Sequence, residues 1–286
     1  MTELERESVT KNIFCKSRKI IDELEDSKWH RNQNKVIDTN VVHSSQALAL
    51  DVFGFLKYTD SKDLIINNVF NVTDSNWNVI FEFTDKDLLN ETTSTQIDVI
   101  LESEKYIITI ECKFTEPDGG NCSQTSKDKK TNLQQCSGNY EMQVNPKNNI
   151  KSFCALSGKG IKYWDFISEI YGINKNVPLK PCPFKGGQYQ WMRNICFSTA
   201  LGKKYNKESK SFICYADFDF CSIKRKMDKG YLKIINSNVK AEYQIKAITY
   251  QHLINQAIIL TTGTEKKSWQ ELKEWVENKG KKVHFL

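Results

Sequence analysis

The stretch Asp98-Val-Ile-Leu-Glu-Ser-Glu-Lys-Tyr-Ile-Ile-Thr-Ile-Glu-Cys-Lys113 carries the reading of this chain. From Tyr106 to Phe114 the residues alternate as a β-strand would, so Ile108, Ile110, Cys112 and Phe114 share one face and Thr109, Glu111 and Lys113 the other. A two-residue turn at Ser103-Glu104 would pair Glu102 with Lys105 and Asp98 with Thr109. Asp98 then becomes the diagonal neighbour of Glu111 on the same face, ~7–8 Å away along the backbone. Cys112 is expected to face the core, and Glu111 and Lys113 the wet side of the sheet.

Two carboxylates held this way can share one Mg²⁺, which takes oxygen ligands at ~2.0–2.1 Å and leaves its remaining positions to water and substrate phosphate. Such an ion activates water and neutralises charge developing on phosphorus. Lys113, one pleat from Glu111, is placed to orient the attacking water or to stabilise the transition state. The same alternation is also what an exposed antiparallel hairpin shows when one face is wet. A bare D-x(12)-E-x-K spacing does not by itself separate the two.

Outward from the hairpin, residues 4 to 24 place Leu4, Ile13, Phe14, Ile20, Ile21 and Leu24 at spacings that predict an amphipathic helix. A second helix begins at Ser44 or Ser45, whose hydroxyl can cap it, and runs through Leu56. Strands are expected at 69–72, 79–83, 95–101 and 105–114, and again at 211–217 and 231–235. Helices are expected near 162–171, 188–201 and 268–278. Between Glu116 and about residue 185 the text turns polar and carries cysteines and lysines, which predicts an excursion from the core. No repeat or Pro/Gly-rich linker divides the chain, so residues 1–286 read as a single domain with its core over about 43–250.

The composition narrows the class. With 286 residues and 39% hydrophobic content the chain can bury a full core. No apolar run approaches the ~20 residues that span a bilayer, and Met1 to Arg6 is acidic and polar, so no membrane partner and a cytoplasmic setting are expected. Nine cysteines, an odd number without a signal peptide, predict reduced thiols. The net charge is +6, yet Lys159 to Lys210 holds nine Lys and one Arg against Asp165, Glu169 and Glu208, a local excess of seven positive charges. A basic lobe of this kind suits a polyanion, and a solvated lysine-rich face would look the same.

The hairpin Asp98-Val-Ile-Leu followed by Ile-Thr-Ile-Glu111-Cys-Lys113-Phe resembles the PD-(D/E)xK nuclease superfamily, in which an acidic residue on one strand precedes E-x-K on the next. His43-Ser-Ser-Gln-Ala-Leu-Ala-Leu-Asp-Val-Phe-Gly54 and Cys182-Pro-Phe-Lys-Gly-Gly-Gln-Tyr-Gln-Trp-Met-Arg-Asn194 look like segments of a restriction-endonuclease-like bacterial and phage branch. The resemblance spans about residues 43 to 194. It implies an α/β fold with a three-layer restriction-endonuclease-like core, a central mixed sheet flanked by helices. It further implies cleavage of DNA, double-stranded in the usual case, with Mg²⁺ or Mn²⁺ bound by Asp98 and Glu111, and Lys113 as catalytic base or electrostatic helper. Ile97 stands where that superfamily's motif has proline.

Three further residues are candidates for support. The superfamily often adds an acidic residue on its first core helix; here Gln46 is the neutral candidate, and Asp51 is the only carboxylate in that segment. Gln190, Arg193 and Asn194, at i, i+3 and i+4, form one polar stripe on a helix, and Arg193 suits bidentate phosphate binding. The superfamily's Q-x-x-x-Y spacing is missing, Met192 lying four after Gln188, so a solvated helix face is the competing account of Gln190 and Arg193. Cys122, Cys136, Cys154 and Cys182 come from four separate segments and could close a tetrahedral zinc site or hold an iron–sulfur cluster. Without a C-x-x-C pair, scattered free thiols are the expectation.

The reading is therefore a DNA-cutting metal-dependent nuclease, with restriction or defence as its setting and a homodimer among the assemblies left open. Two alternatives stand beside it: a nucleic-acid-binding protein of the same fold without activity, and a partner-binding protein whose hairpin is merely amphipathic.

Overall fold

The computed structural model describes residues 1–91, 95–128, 132–145, 150–174 and 176–285. Its centre is a five-stranded mixed sheet in the order β1-β2-β3-β6-β7. The members are β1 (Asn78–Thr84), β2 (Gln96–Glu102), β3 (Tyr106–Lys113), β6 (Glu208–Tyr215) and β7 (Lys246–Thr249), while β4 (Gln143–Asn145) and β5 (Ile150–Ser152) form a separate two-stranded ribbon. β1, β2 and β3 are antiparallel neighbours, and β3, β6 and β7 run parallel. The helices are α1 (Glu3–Asn12), α2 (Ile20–Glu23), α3 (Ser45–Lys57), α4 (Lys62–Phe70), α5 (Tyr163–Tyr171), α6 (Tyr189–Tyr205), α7 (Ser222–Asp228), α8 (Tyr231–Ile235), α9 (Tyr250–Leu260) and α10 (Gly263–His284).

A strand buried on both faces is expected to read as a nearly unbroken apolar run, and β3 does: every residue from Ile107 to Lys113 is buried. One face carries Ile108, Ile110 and Cys112 towards α3 and α9, where Phe53 of α3 meets Tyr250 edge to face. The other lies beneath α6, which packs along β3 and β6. The result is helix, sheet, helix: the three-layer α/β core that the hairpin and the resemblance predict.

α3 is buried from Gln46 to Leu56 and starts where Ser44 Oγ accepts the Ala47 N–H at 3.2 Å. α10 buries Trp269, Leu272 and Val276 at helical spacing and lays Lys279 against Asp51. Asp51 is fully buried, accepting from Lys279 Nζ at 2.5 Å, Phe14 N at 2.7 Å and Trp275 Nε1 at 3.1 Å. It fastens the two ends of the chain to α3 and is no part of a cleft.

Several sequence expectations change here. The 4–24 segment breaks into α1, a 3₁₀ turn at Cys15–Ser17 and α2, because Ile13 turns to extended backbone. Residues 69–72 are not a strand: Val69 and Phe70 end α4, closed by Asn71 in the left-handed conformation. Tyr231–Ile235 is the short helix α8, whose apolar run is too brief for periodicity to separate helix from strand. The fifth strand is instead Lys246–Thr249, which has two apolar residues to announce it. Among the described residues, no helix is long and apolar enough to cross a membrane.

Candidate active site

The β2–β3 hairpin does not turn at Ser103-Glu104: Ser103 faces Tyr106, with Glu104 and Lys105 between them. Glu102 pairs with Ile107 and Val99 with Ile110, so the register is displaced by two residues from the expected one. The cause is local: Ser103 N donates to Tyr106 O at 3.0 Å, Ser103 Oγ accepts the Tyr106 N–H at 3.1 Å, and Asp74 Oδ2 captures Lys105 N at 2.9 Å. An even displacement keeps every side chain on its face. One step beyond Val99–Ile110, Asp98 therefore lies across from Glu111 rather than diagonal to it. There the ladder gives way, and Asp98 Oδ2 accepts the Cys112 N–H at 2.6 Å.

Glu111 and Lys113 share the face under α6, and that face is not wet: their exposures are 3% and 5%. Lys113 Nζ donates to Glu111 Oε1 at 2.8 Å and lies 5.6 Å from the centre of the Trp191 ring. Asn194 of α6 donates to Glu111 Oε2 at 2.5 Å. Both oxygens of Glu111 thus have donors. Burial works against the charged carboxylate, but Lys113, Arg193 and the two hydrogen bonds hold Glu111 below its usual range. Burial likewise opposes the Lys113 ammonium, and Glu111, Asp98 and Glu116 overcome it, keeping the amine protonated.

Two residues at this centre carry no mark in the reading of the hairpin. Glu82 lies in β1 between Phe81, paired with Val99, and Phe83, paired with Ile97, so it stands opposite Asp98. Its φ of 51° puts a non-glycine residue in the left-handed region, a local cost of roughly 1–2 kcal/mol. His30, from the loop before α3, brings Nε2 to 3.4 Å from Glu82 Oε2. Ligand atoms of His30, Glu82 and Asp98 lie within 4.8 Å of one another. A signal for Glu82 exists in the sequence, a lone carboxylate inside Val79-Ile-Phe-Glu-Phe83; His30 has none, since only the tertiary fold brings it near.

Gln46 braces this group from α3. Its Nε2 donates to Glu82 Oε1 at 2.6 Å and to Lys28 O at 2.9 Å, while its Oε1 accepts from His30 N at 3.0 Å and from the Thr39 hydroxyl. It touches the carboxylate that faces the centre rather than the centre itself.

His30, Asp98, Glu111 and Lys113 line a cleft of about 670 Å³ whose walls include Gln190, Arg193 and the loop Glu116 to Asn121. The loop closes on α6 through Gly119 O and Gly120 O, which accept the N–H groups of Gln190 and Tyr189. A Cβ at Gly119 would sit 2.7 Å from the Trp191 ring and 2.9 Å from Gly187 O, so this approach needs glycine.

The donor set can be tested for fit to a divalent cation. Glu82 Oε2 is buried and accepts no well-aligned hydrogen bond, its nearest charged group being His30 Nε2 at 3.4 Å. Burial, Glu111 and Glu82 together push the Asp98 carboxyl well above its ordinary range. A buried carboxylate oxygen whose one close partner is an imidazole, beside a carboxylate repelled by two others, is an arrangement that a cation relieves, and His30, Glu82 and Asp98 offer one imidazole nitrogen and two carboxylates to it. In the absence of an ion, burial disfavours a charged His30, yet Glu82, then Asp98 and Glu111, prevail and lift its pKa to about 9.

The basic lobe turns out otherwise than its charge count suggested. Lys203, Lys204 and Lys207 are paired with Glu169, Asp85 and Glu102, and Lys180 with Glu141. From Lys159 to Lys210 the cleft receives Tyr189, Gln190 and Arg193 and none of the lysines among the described residues. The four cysteines of the excursion, expected to be scattered, instead meet around one small cavity away from this cleft.

Comparison with curated proteins and with solved structures found no match to the chain. A family model does match, over residues 1–276: REase-ARP, described as "Restriction Endonuclease associating with ARP". Covering nearly the whole sequence, that match shows that this chain belongs to the REase-ARP family of restriction endonucleases.

Proposed function

We propose that this protein hydrolyses DNA phosphodiester bonds in a divalent-cation-dependent reaction, as an endonuclease of restriction or defence. Membership of a restriction endonuclease family points to a nuclease or defence-type function. The observation that carries the finer reading is the convergence of Asp98 and Glu111, with His30 and Lys113, on the floor of a cleft walled by Gln190 and Arg193, with Glu82 buried beside His30 and Asp98.

Asp98, Glu82 and His30 would hold the cation, with Glu111 beside them once its donors yield an oxygen. When bound, Mg²⁺ or Mn²⁺ supplies activation of water and neutralisation of charge on the phosphate; the imidazole makes the set more congenial to Mn²⁺ than an all-oxygen site would be. The chain's own groups do the rest. Lys113, held by Glu111 and lying by the Trp191 ring, presents an ammonium to the scissile phosphate and acts as electrostatic stabiliser rather than base. Arg193 and Gln190, on the first turns of α6, bind and orient the phosphates. Asn194 fixes the Glu111 carboxylate, and Gln46 fixes Glu82.

The test is incubation of purified protein with supercoiled plasmid and Mg²⁺ or Mn²⁺. Nicking that stops with EDTA and is lost in Glu111→Ala is the expected result. If wild-type protein binds plasmid but never cuts it with either ion, the alternative of a binding protein on the same fold takes over.

A further inference from the structure

We infer that Cys122, Cys136, Cys154 and Cys182 together hold a metal centre as thiolates, a structural site separate from the cleft and independent of the nuclease reading.

The four residues come from four loops of the excursion between β3 and α6, and all line one cavity of about 20 Å³, with Trp164 and Phe184 completing its wall. That volume is about what a single small occupant needs. None of the four is in a disulfide.

The second observation lies at Cys136, whose sulfur accepts the Gly138 N–H at 3.4 Å. Gln143 Nε2 adds a further donor to Cys136 at 3.2 Å. A neutral thiol is a weak acceptor that packs as a small hydrophobe and asks for no such donors. A metal-bound thiolate carries charge, and N–H groups aimed at it stabilise that form.

The site also answers a structural need. Among the described residues, the part of the excursion before α5 holds only the ribbon of β4 and β5, two 3₁₀ turns and isolated bridges such as Tyr140 to Leu179, packed around Tyr140, Trp164 and Phe184. So little regular structure needs a cross-link to stay ordered, and metal binding then becomes folding free energy for those loops. A tetrahedral Zn²⁺ with Zn–S of ~2.3 Å sets its sulfurs roughly 3.8 Å apart. Among the described residues no three of these sulfurs lie mutually within 4.8 Å. Zinc would have to draw the loops inward, and an iron–sulfur cluster, which spans wider thiolates, would have to widen the cavity; metal analysis separates the two.

The experiment is metal analysis and a visible spectrum of full-length wild-type protein, expressed with zinc and iron supplied and purified without chelator, once in air and once anaerobically. One zinc per chain, or iron with sulfide and a visible chromophore, supports the assignment and says which centre it is. Protein with neither under both regimes, and with all four thiols reactive, overturns it. Cys122→Ser/Cys182→Ser should lose the metal and expose the 116–185 segment to protease, while Cys15→Ser, at an exposed cysteine, should keep both. Full metal content in the double variant would also overturn the assignment, and because the wild-type measurement needs no variant, a folding failure leaves the test intact.

Discussion

Replacing Lys113 by Met removes one half of a buried ion pair while keeping the length of the side chain. Lys113 and Glu111 are 2.8 Å apart and almost wholly buried, so their interaction is poorly screened. Without Lys113, Glu111 keeps Asn194 and the more distant Arg193 but faces Asp98 with no close cation. Breaking such a pair costs about 3–5 kcal/mol. The carboxylate can escape by taking up a proton, which from an ordinary Glu pKa of 4.5 costs about 3 kcal/mol at pH 7 and sets the lower end of that range. Urea denaturation should therefore show a midpoint lowered by about 1 M. Cleavage should fall at least ~10²-fold, since the ammonium nearest the phosphate is gone. Adding Glu111→Gln removes the stranded charge and leaves an acceptor for Asn194. That double variant should recover most of the stability and none of the cleavage. A Lys113→Met protein as stable as wild type would refute the buried pair; one that cuts at the wild-type rate would refute its role in chemistry.

Glu82→Gln should lose at least about tenfold in cleavage and bind Mn²⁺ more weakly in calorimetry, and the His30 pKa should fall because its closest carboxylate is gone; wild-type Mn²⁺ affinity would take Glu82 out of the site. Arg193→Gln should weaken DNA binding and flatten its salt dependence by about one counterion, whereas Lys204→Glu, at a lysine already paired with Asp85, should leave the affinity within about twofold; the reverse ranking would return the contact to the lysine lobe. Lys279→Met strands Asp51 between α3 and α10 and should destabilise by about 3–5 kcal/mol without changing the specific activity of folded protein, as measured by denaturation and plasmid nicking side by side.

What the sequence by itself determined is what short-range periodicity can carry. Alternation along Tyr106–Phe114 puts Glu111 and Lys113 on one face and Cys112 on the other, and an even shift in the hairpin leaves that intact, so Asp98, Glu111 and Lys113 come together although the turn differs from the one expected. The apolar stripe of α10 and the hydroxyl cap of α3 were legible for the same reason, being properties of neighbours in the chain. What only the tertiary structure decided is what depends on distant segments. The face of Glu111 and Lys113 is dry because α6 covers it, and no local pattern says which helix will lie over a strand. His30 reaches Glu82 and Asp98 from a loop some fifty residues before Glu82, and Gln46 holds them through hydrogen bonds that span 16 and 36 residues. Part of the lysine lobe is paired with carboxylates outside it, Asp85 after β1, Glu102 of β2 and Glu141, which a charge count along the segment cannot see. The four cysteines of the excursion have no paired spacing and so no signature in sequence; their convergence belongs to the fold of that segment alone, where loops too polar to form a core are brought around one cavity.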